Sequence, residues 1–135
     1  GSEMCIRDSY TTTMGILEKV RAHAGDVDFE VQPELVSLLS SGDFGRYADE
    51  KGEMSVCFIS NNDITGGNSG SAMFNARGEL LGLAFDGNWE AMSSDILYEP
   101  KMQRTIGVDV RYMLFMIEKY GKAGNLIQEL KIANP

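Results

Sequence analysis

Gly66-Gly67-Asn68-Ser69-Gly70-Ser71 stands between two strand-like runs, Met54 to Ser60 and Ala72 to Phe74. Small residues on both sides of Ser69 let the backbone turn sharply and leave the hydroxyl exposed. The same turn can aim amide N–H groups at one point in space, which is what an oxyanion hole requires. The hexapeptide alone permits two readings, a nucleophilic serine or a plain Gly/Ser hairpin loop. Its surroundings have to decide between them.

Working outward, Met54 to Ser60 carries apolar residues of both parities, as a strand buried on both faces does. Ala72 to Phe74 is a short strand. Asn75 to Gly78 is a hairpin turn with Gly78 where positive φ is convenient. Glu79 to Phe85 is a third strand, Asp86 to Pro100 a long connection and Gln103 to Val110 a fourth strand. Upstream, Thr11 to Thr13 caps a helix over Met14 to Val20, and Gly25 to Glu30 is an acidic loop. Pro33 opens a second helix that ends near Gly42, and Asp43 to Gly52 is polar and turn-rich. Downstream, Arg111 to Tyr120 switches to the helical period, with Met113, Leu114 and Ile117 on one face and Gly121 as a stop. Leu126, Ile127 and Leu130 mark a last short helix. The expected class is mainly β with flanking helices, α+β. Four strands make half a barrel or a small sheet with an open edge. An open apolar edge is a liability, so the chain reads as a piece of something larger.

A chain of 135 residues holds one domain's worth of core. Its net charge of −8 argues against nucleic acid or an anionic membrane surface as the main partner. No apolar run reaches the ~20 residues of a membrane span. One histidine makes a His/Cys metal site a poor fit, and Cys5 and Cys57 do not suggest a disulfide framework. Gly1 to Ser9 reads as a translated sequencing adapter, of the kind found at the ends of assembled environmental genes, on a truncated gene. The expected division is an artefact over 1–9, a helical and loop lead-in over 10–53, the serine-bearing β portion over 54–110 and C-terminal helices over 111–135.

Ser69 needs a base, and His23 is the single histidine. It lies at the end of the first predicted helix, where the dipole favours an exposed imidazole over a catalytic one. Asp86 and Gly87 have two readings: ordinary turn residues, or a carboxylate and an open pocket wall beside the serine. Trp89 fits core, pocket wall or surface. Cys57, in an apolar strand, reads as a small buried hydrophobe and not a second nucleophile. Asp109 is read as a structural partner of Arg104 or Arg111, and the eight methionines as core filler.

The order strand, Gly-Gly-Asn-Ser-Gly-Ser, strand, tight hairpin, strand resembles the surroundings of the nucleophile in chymotrypsin-fold serine peptidases. It is neither the Gly-x-Ser-x-Gly elbow of α/β-hydrolases nor a phosphate-binding loop. In that geometry the oxyanion donors are the N–H groups of Ser69 and Gly67. Asn68 stands where digestive enzymes of the fold carry an aspartate that pairs with a newly cut N-terminal ammonium. A neutral amide either points away from such activation or is simply a polar turn residue.

The run Asn62-Asp-Ile-Thr-Gly-Gly-Asn-Ser-Gly-Ser71 resembles the bacterial serine dipeptidyl peptidases of the seven/eleven type. Leu83-Ala-Phe-Asp-Gly-Asn-Trp-Glu-Ala-Met92, Ser94-Asp-Ile96, Gln103-Arg-Thr-Ile106, Val108-Asp-Val-Arg-Tyr-Met-Leu-Phe115 and Tyr10-Thr-Thr12 resemble it too. The resemblance implies a trypsin-like double barrel with an inserted helical cap, of which this chain carries part of the serine-bearing barrel. It implies Ser69 as nucleophile, Gly67 and Ser69 as oxyanion donors, and Asp86 as one holder of the substrate α-ammonium. Gly87 stands where acid-specific members carry an arginine, which implies a hydrophobic or broad preference next to the scissile bond. The substrates implied are peptides with a free N-terminus. No cofactor or metal is implied, the location is the periplasm or cell surface, and the complete enzyme is a possible homodimer. Ala72 replaces the family's usual proline. The family's catalytic histidine and aspartate lie upstream, so the fragment alone is expected to be inactive. A trypsin-like endopeptidase, since glutamyl endopeptidases share the Gly-Asn-Ser-Gly-Ser loop, and a non-catalytic β-rich interaction module are the competing readings.

Overall fold

A computed structural model of the protein describes residues 12–62, 64–88 and 104–133. The described chain falls into two compact units, one within Cys57–Val110 and one combining Tyr10–Val56 with Arg111–Pro135.

The first unit is a four-stranded antiparallel sheet. Its strands are β1 (Cys57–Ser60), β2 (Ser71–Phe74), β3 (Leu80–Gly87) and β4 (Thr105–Asp109). Their spatial order is β1-β4-β3-β2, so the first strand lies beside the last and β1 and β2 form the two edges. This is a Greek-key order, not a simple meander. Along β4, Thr105, Gly107 and Asp109 are buried while Ile106 and Val108 are half-buried, the period of two that strands impose.

Phe58 of β1 lies over the glycines of the two central strands. A Cβ on Gly107 would stand 2.9 Å from the Phe58 ring and 2.8 Å from Met73 Sδ. A Cβ on Gly82 would stand 2.0 Å from the Val108 carbonyl oxygen, so backbone itself excludes a side chain there. β1 is shorter than the run Met54 to Ser60 suggests, and half-buried throughout. The physical reason is its place at an edge.

The β2–β3 hairpin turns through Asn75 to Gly78, as its sequence indicates. Asn75 Oδ1 accepts the N–H groups of Arg77 (2.9 Å) and Glu79 (3.0 Å), and Gly78 takes φ +76°. The Arg77 guanidinium and the Asn75 amide hold the Glu79 carboxyl below its usual range.

The second unit contains α1 (Thr13–Ala22), α2 (Pro33–Ser40), α3 (Val110–Phe115) and α4 (Gly124–Gln128). Thr12 occupies the cap position of α1, but its hydroxyl makes no cap bond. Met54 O accepts the Thr13 N–H instead, at 3.2 Å. α3 widens into a π turn over Met116–Tyr120, closed by Gly121 N–H on Met116 O at 2.7 Å. The core of this unit is Leu17, Leu39, Phe44, Tyr47, Met54 and Phe115. Phe115 is fully buried and meets Phe44 and Tyr47 edge to face, contacts worth about 1 kcal/mol each beyond burial.

Tyr47 Oη donates to Glu118 Oε2 at 2.5 Å, and Arg46 Nη2 lies 3.5 Å from the other carboxylate oxygen. Burial and the Glu118 carboxylate raise the Tyr47 phenol above its ordinary value of 10.0. A raised folded-state value means that the native state holds the proton more tightly than the unfolded chain. The associated stability is present below pH 10 and is lost as pH rises through the raised value. Urea unfolding between pH 7 and pH 11 should therefore show an alkaline loss that Tyr47→Phe flattens. The same substitution should cost about 1–2 kcal/mol at neutral pH, because Glu118 loses a donor.

Candidate active site

The connection from β1 to β2 carries Ser69. Two tight turns follow one another in it. Asn68 N–H donates to Thr65 O at 3.2 Å, and Ser71 N–H donates to Asn68 O at 2.9 Å. The third residue of each turn is a glycine with positive φ, Gly67 at +94° and Gly70 at +84°, while Gly66 and Ser69 keep negative φ. That is the φ signature of two consecutive type II turns, and it explains why glycine recurs on either side of Asn68-Ser69. Asn68 Oδ1 accepts from Thr65 N–H (3.1 Å) and Thr65 Oγ1 (3.3 Å), so its side chain closes the first turn from a second direction.

The main-chain donors divide sharply. Those of Asn68, Gly70 and Ser71 all have acceptors within the chain. Those of Gly66, Gly67 and Ser69 have none among the described residues. Ser69 is exposed, and its Oγ donates to Phe85 O at 3.3 Å. Gly70 N–H donates to Ala84 O at 2.7 Å.

β3 is irregular at the point where it meets this loop. Ala84 pairs with Gly107 and Asp86 pairs with Ile106, so Phe85 is the extra residue of a β-bulge. Bulges re-aim side chains beside functional sites. Here the bulge offers the Phe85 carbonyl to Ser69 and sets Asp86 and Gly87 immediately beyond it. Both lie inside β3 and not in the connection expected from the sequence. Asp86 is exposed, and its Oδ1 accepts its neighbour's N–H, Gly87, at 2.8 Å. The structure thus brings Ser69 against β3 at the residue before Asp86 and Gly87, with Gly67 two residues back in the loop. A cleft of about 150 Å³ adjoins the loop, lined by Asn62, Ile64, Asn68, Ser71, Ala84 and Thr105 among others.

Of the other sequence candidates, His23 closes α1 and stacks on Phe29, with ring centroids 4.0 Å apart and planes at 14°. It is half-buried by that stack rather than exposed. Burial and the nearby Asp109 carboxylate push the Cys57 thiol up, which disfavours a thiolate. Asp109 is buried, 6% exposed. Trp89 lies outside the described residues. No group of three or more metal-ligating side chains occurs among the described residues, and no described helix is long and apolar enough to cross a membrane.

Sequence reasoning missed Thr105, Thr65 and the Phe85 bulge. Thr105 is 1% exposed, and its Oγ1 donates to Asn62 O at 2.6 Å, which ties the start of the serine loop to β4. Thr105→Val removes that donor and leaves a carbonyl without its partner. Amide hydrogen exchange should quicken across residues 61–70 by about tenfold, the equivalent of ~1.4 kcal/mol of local stability, while β3 and β4 keep their protection. Equal loosening of the strands would mean that Thr105 supports the sheet and not the loop.

The sequence matches the family described as Peptidase S46 over residues 4–132. It is 58% identical over 123 residues to the Dipeptidyl-peptidase 7 of Porphyromonas endodontalis, across 91% of this chain and 15% of that protein. It is 48% identical over 124 residues to the Asp/Glu-specific dipeptidyl-peptidase of Capnocytophaga gingivalis, across 92% of this chain and 17% of that protein. The crystal structure of Porphyromonas endodontalis DPP11 in complex with the dipeptide Arg-Glu is similar at a TM-score of 0.83 and 44% identity, covering 88% of this chain and 17% of that one. The chain spans about a sixth of the length of these relatives. With a match that runs through nearly all its residues, the chain belongs to the peptidase S46 family.

Proposed function

We propose that the chain is the nucleophile-bearing part of a serine dipeptidyl peptidase, which releases dipeptides from a free N-terminus. The observation that carries this reading is the pair of turns around Ser69. They expose its hydroxyl and leave the N–H groups of Gly67 and Ser69 without acceptors among the described residues. In the complete enzyme a histidine supplied by the rest of the polypeptide takes the Ser69 proton, and Oγ attacks the carbonyl of the second substrate residue. The two N–H groups receive the charge that develops on the carbonyl oxygen. The peptide C–N bond breaks, the leaving amine takes the proton back, and water hydrolyses the acyl-enzyme.

Asp86 holds the substrate α-ammonium in this reading, which its position directly after the carbonyl that Ser69 touches supports. Gly87 brings no side chain, which suits a hydrophobic or broad residue beside the scissile bond. Phe74 and Phe85 are 60% and 50% exposed, and Leu81 is exposed as well. Large apolar side chains at the surface of a small sheet support a longer polypeptide that covers them, in a trypsin-like barrel. The periplasm or cell surface is the proposed location. In this reading the base for Ser69 comes from outside this chain, and the chain by itself is expected to show negligible turnover.

The test uses a chimera in which this chain replaces the matching stretch of the Porphyromonas endodontalis Dipeptidyl-peptidase 7. A fluorophosphonate probe should label it, and Ser69→Ala should abolish the labelling. Asp86→Ala should lower kcat/KM for free-amine dipeptide substrates by about 10- to 100-fold, the worth of a charge-assisted hydrogen bond. Unchanged cleavage, or good cleavage of N-blocked peptides, would sink the exopeptidase reading in favour of an endopeptidase. Gly87→Arg should move the preference toward Asp and Glu through a bidentate pair.

A further inference from the structure

The turn Thr65–Asn68 has a property that its end-to-end hydrogen bond does not fix. Type I and type II turns share that bond but differ by a flip of the central peptide, by about 180°. The central peptide here joins the carbonyl of Gly66 to the N–H of Gly67. One form therefore offers an N–H where the other offers a carbonyl oxygen, and only the first is useful to an oxyanion. The observed φ of +94° at Gly67 belongs to type II, and its N–H has no acceptor among the described residues.

Something has to hold that form. Asn68 N–H bonds Thr65 O, while Asn68 Oδ1 bonds Thr65 N–H and Thr65 Oγ1. Both ends of the Thr65 backbone unit are clasped by one residue, and the hydroxyl adds a third tie. All three bonds lie within four consecutive residues. We propose that Asn68 is the positioning residue of the oxyanion donor: its side-chain carbonyl clasps Thr65 and locks the turn in the form that presents Gly67 N–H. The loop then needs no charged chain terminus from elsewhere to form. This rests on the peptidase reading above, and Asn68 touches no reacting atom.

The experiment is steady-state kinetics on the same chimera with Asn68→Ala, Thr65→Val and Thr65→Ser, together with binding of a peptidyl boronate and of the dipeptide product. The boronate forms a tetrahedral adduct on Ser69 Oγ and so reports the oxyanion donors, whereas the product does not. Asn68→Ala should lower kcat by about 100-fold with KM within about threefold, the size expected for a misplaced oxyanion donor. Boronate affinity should fall in parallel while product affinity holds. Thr65→Val should lose about tenfold, and Thr65→Ser, which keeps the hydroxyl, should match the parent. An active parent with an unaffected Asn68→Ala variant would overturn the role of Asn68 alone. Equal loss of boronate and product affinity would show general loosening and overturn it too. A parent inert to both substrate and fluorophosphonate would overturn the peptidase reading, and this inference with it.

Discussion

Ser60 and Ser71 stand on opposite edges of the sheet, and ten residues must carry the chain from one to the other. The sheet is three inter-strand spacings wide, about 14 Å. Ten residues can reach about 33 Å, so the connection has more than twice the length it needs. The slack is what permits two tight turns, and it would also permit disorder. Cross-links to the central strands take it up: Asn62 to Thr105 of β4, and Ser69 and Gly70 to Phe85 and Ala84 of β3. The position of Ser69 over the sheet depends on this edge-to-edge loop being pinned from beneath.

The central strands can serve as anchors because they are rigid. Gly82 and Gly107 let the Phe58 ring and the Val108 carbonyl approach closer than any side chain would allow. The same sheet tolerates one local irregularity, the bulge at Phe85, at the point where the loop needs a carbonyl. Rigidity and irregularity sit a few residues apart in β3, and the site requires both.

Much of this was legible in the sequence, for identifiable reasons. The strands, the Asn75–Gly78 hairpin and the two longer helices announce themselves through period and turn chemistry. Ser69 and Gly67 stand out because positive φ demands glycine, and the spacing of Gly67 and Gly70 mirrors two four-residue turns. Other features leave no local mark. Phe44 and Tyr47 enter the helical core from a stretch whose polar composition conceals them, and Met54 joins it from a run that reads as strand. The buried residue of the later helix is Phe115, at the end of its regular segment, and not a member of the Met113, Leu114 and Ile117 face that the sequence indicates. The bond from Thr105 to Asn62 joins residues 43 positions apart, and no window along the chain contains both.

That separation has a consequence for how the protein comes into being. Contacts between distant residues form late, because the chain must first surrender the entropy of the intervening loop. The turns around Ser69 are closed by local bonds, but the loop is held against the sheet only when β3 and β4 have paired beneath it. A nascent or misassembled copy carries the same Ser69 without that support. The placement of Ser69 against β3 is in this way coupled to completion of the sheet.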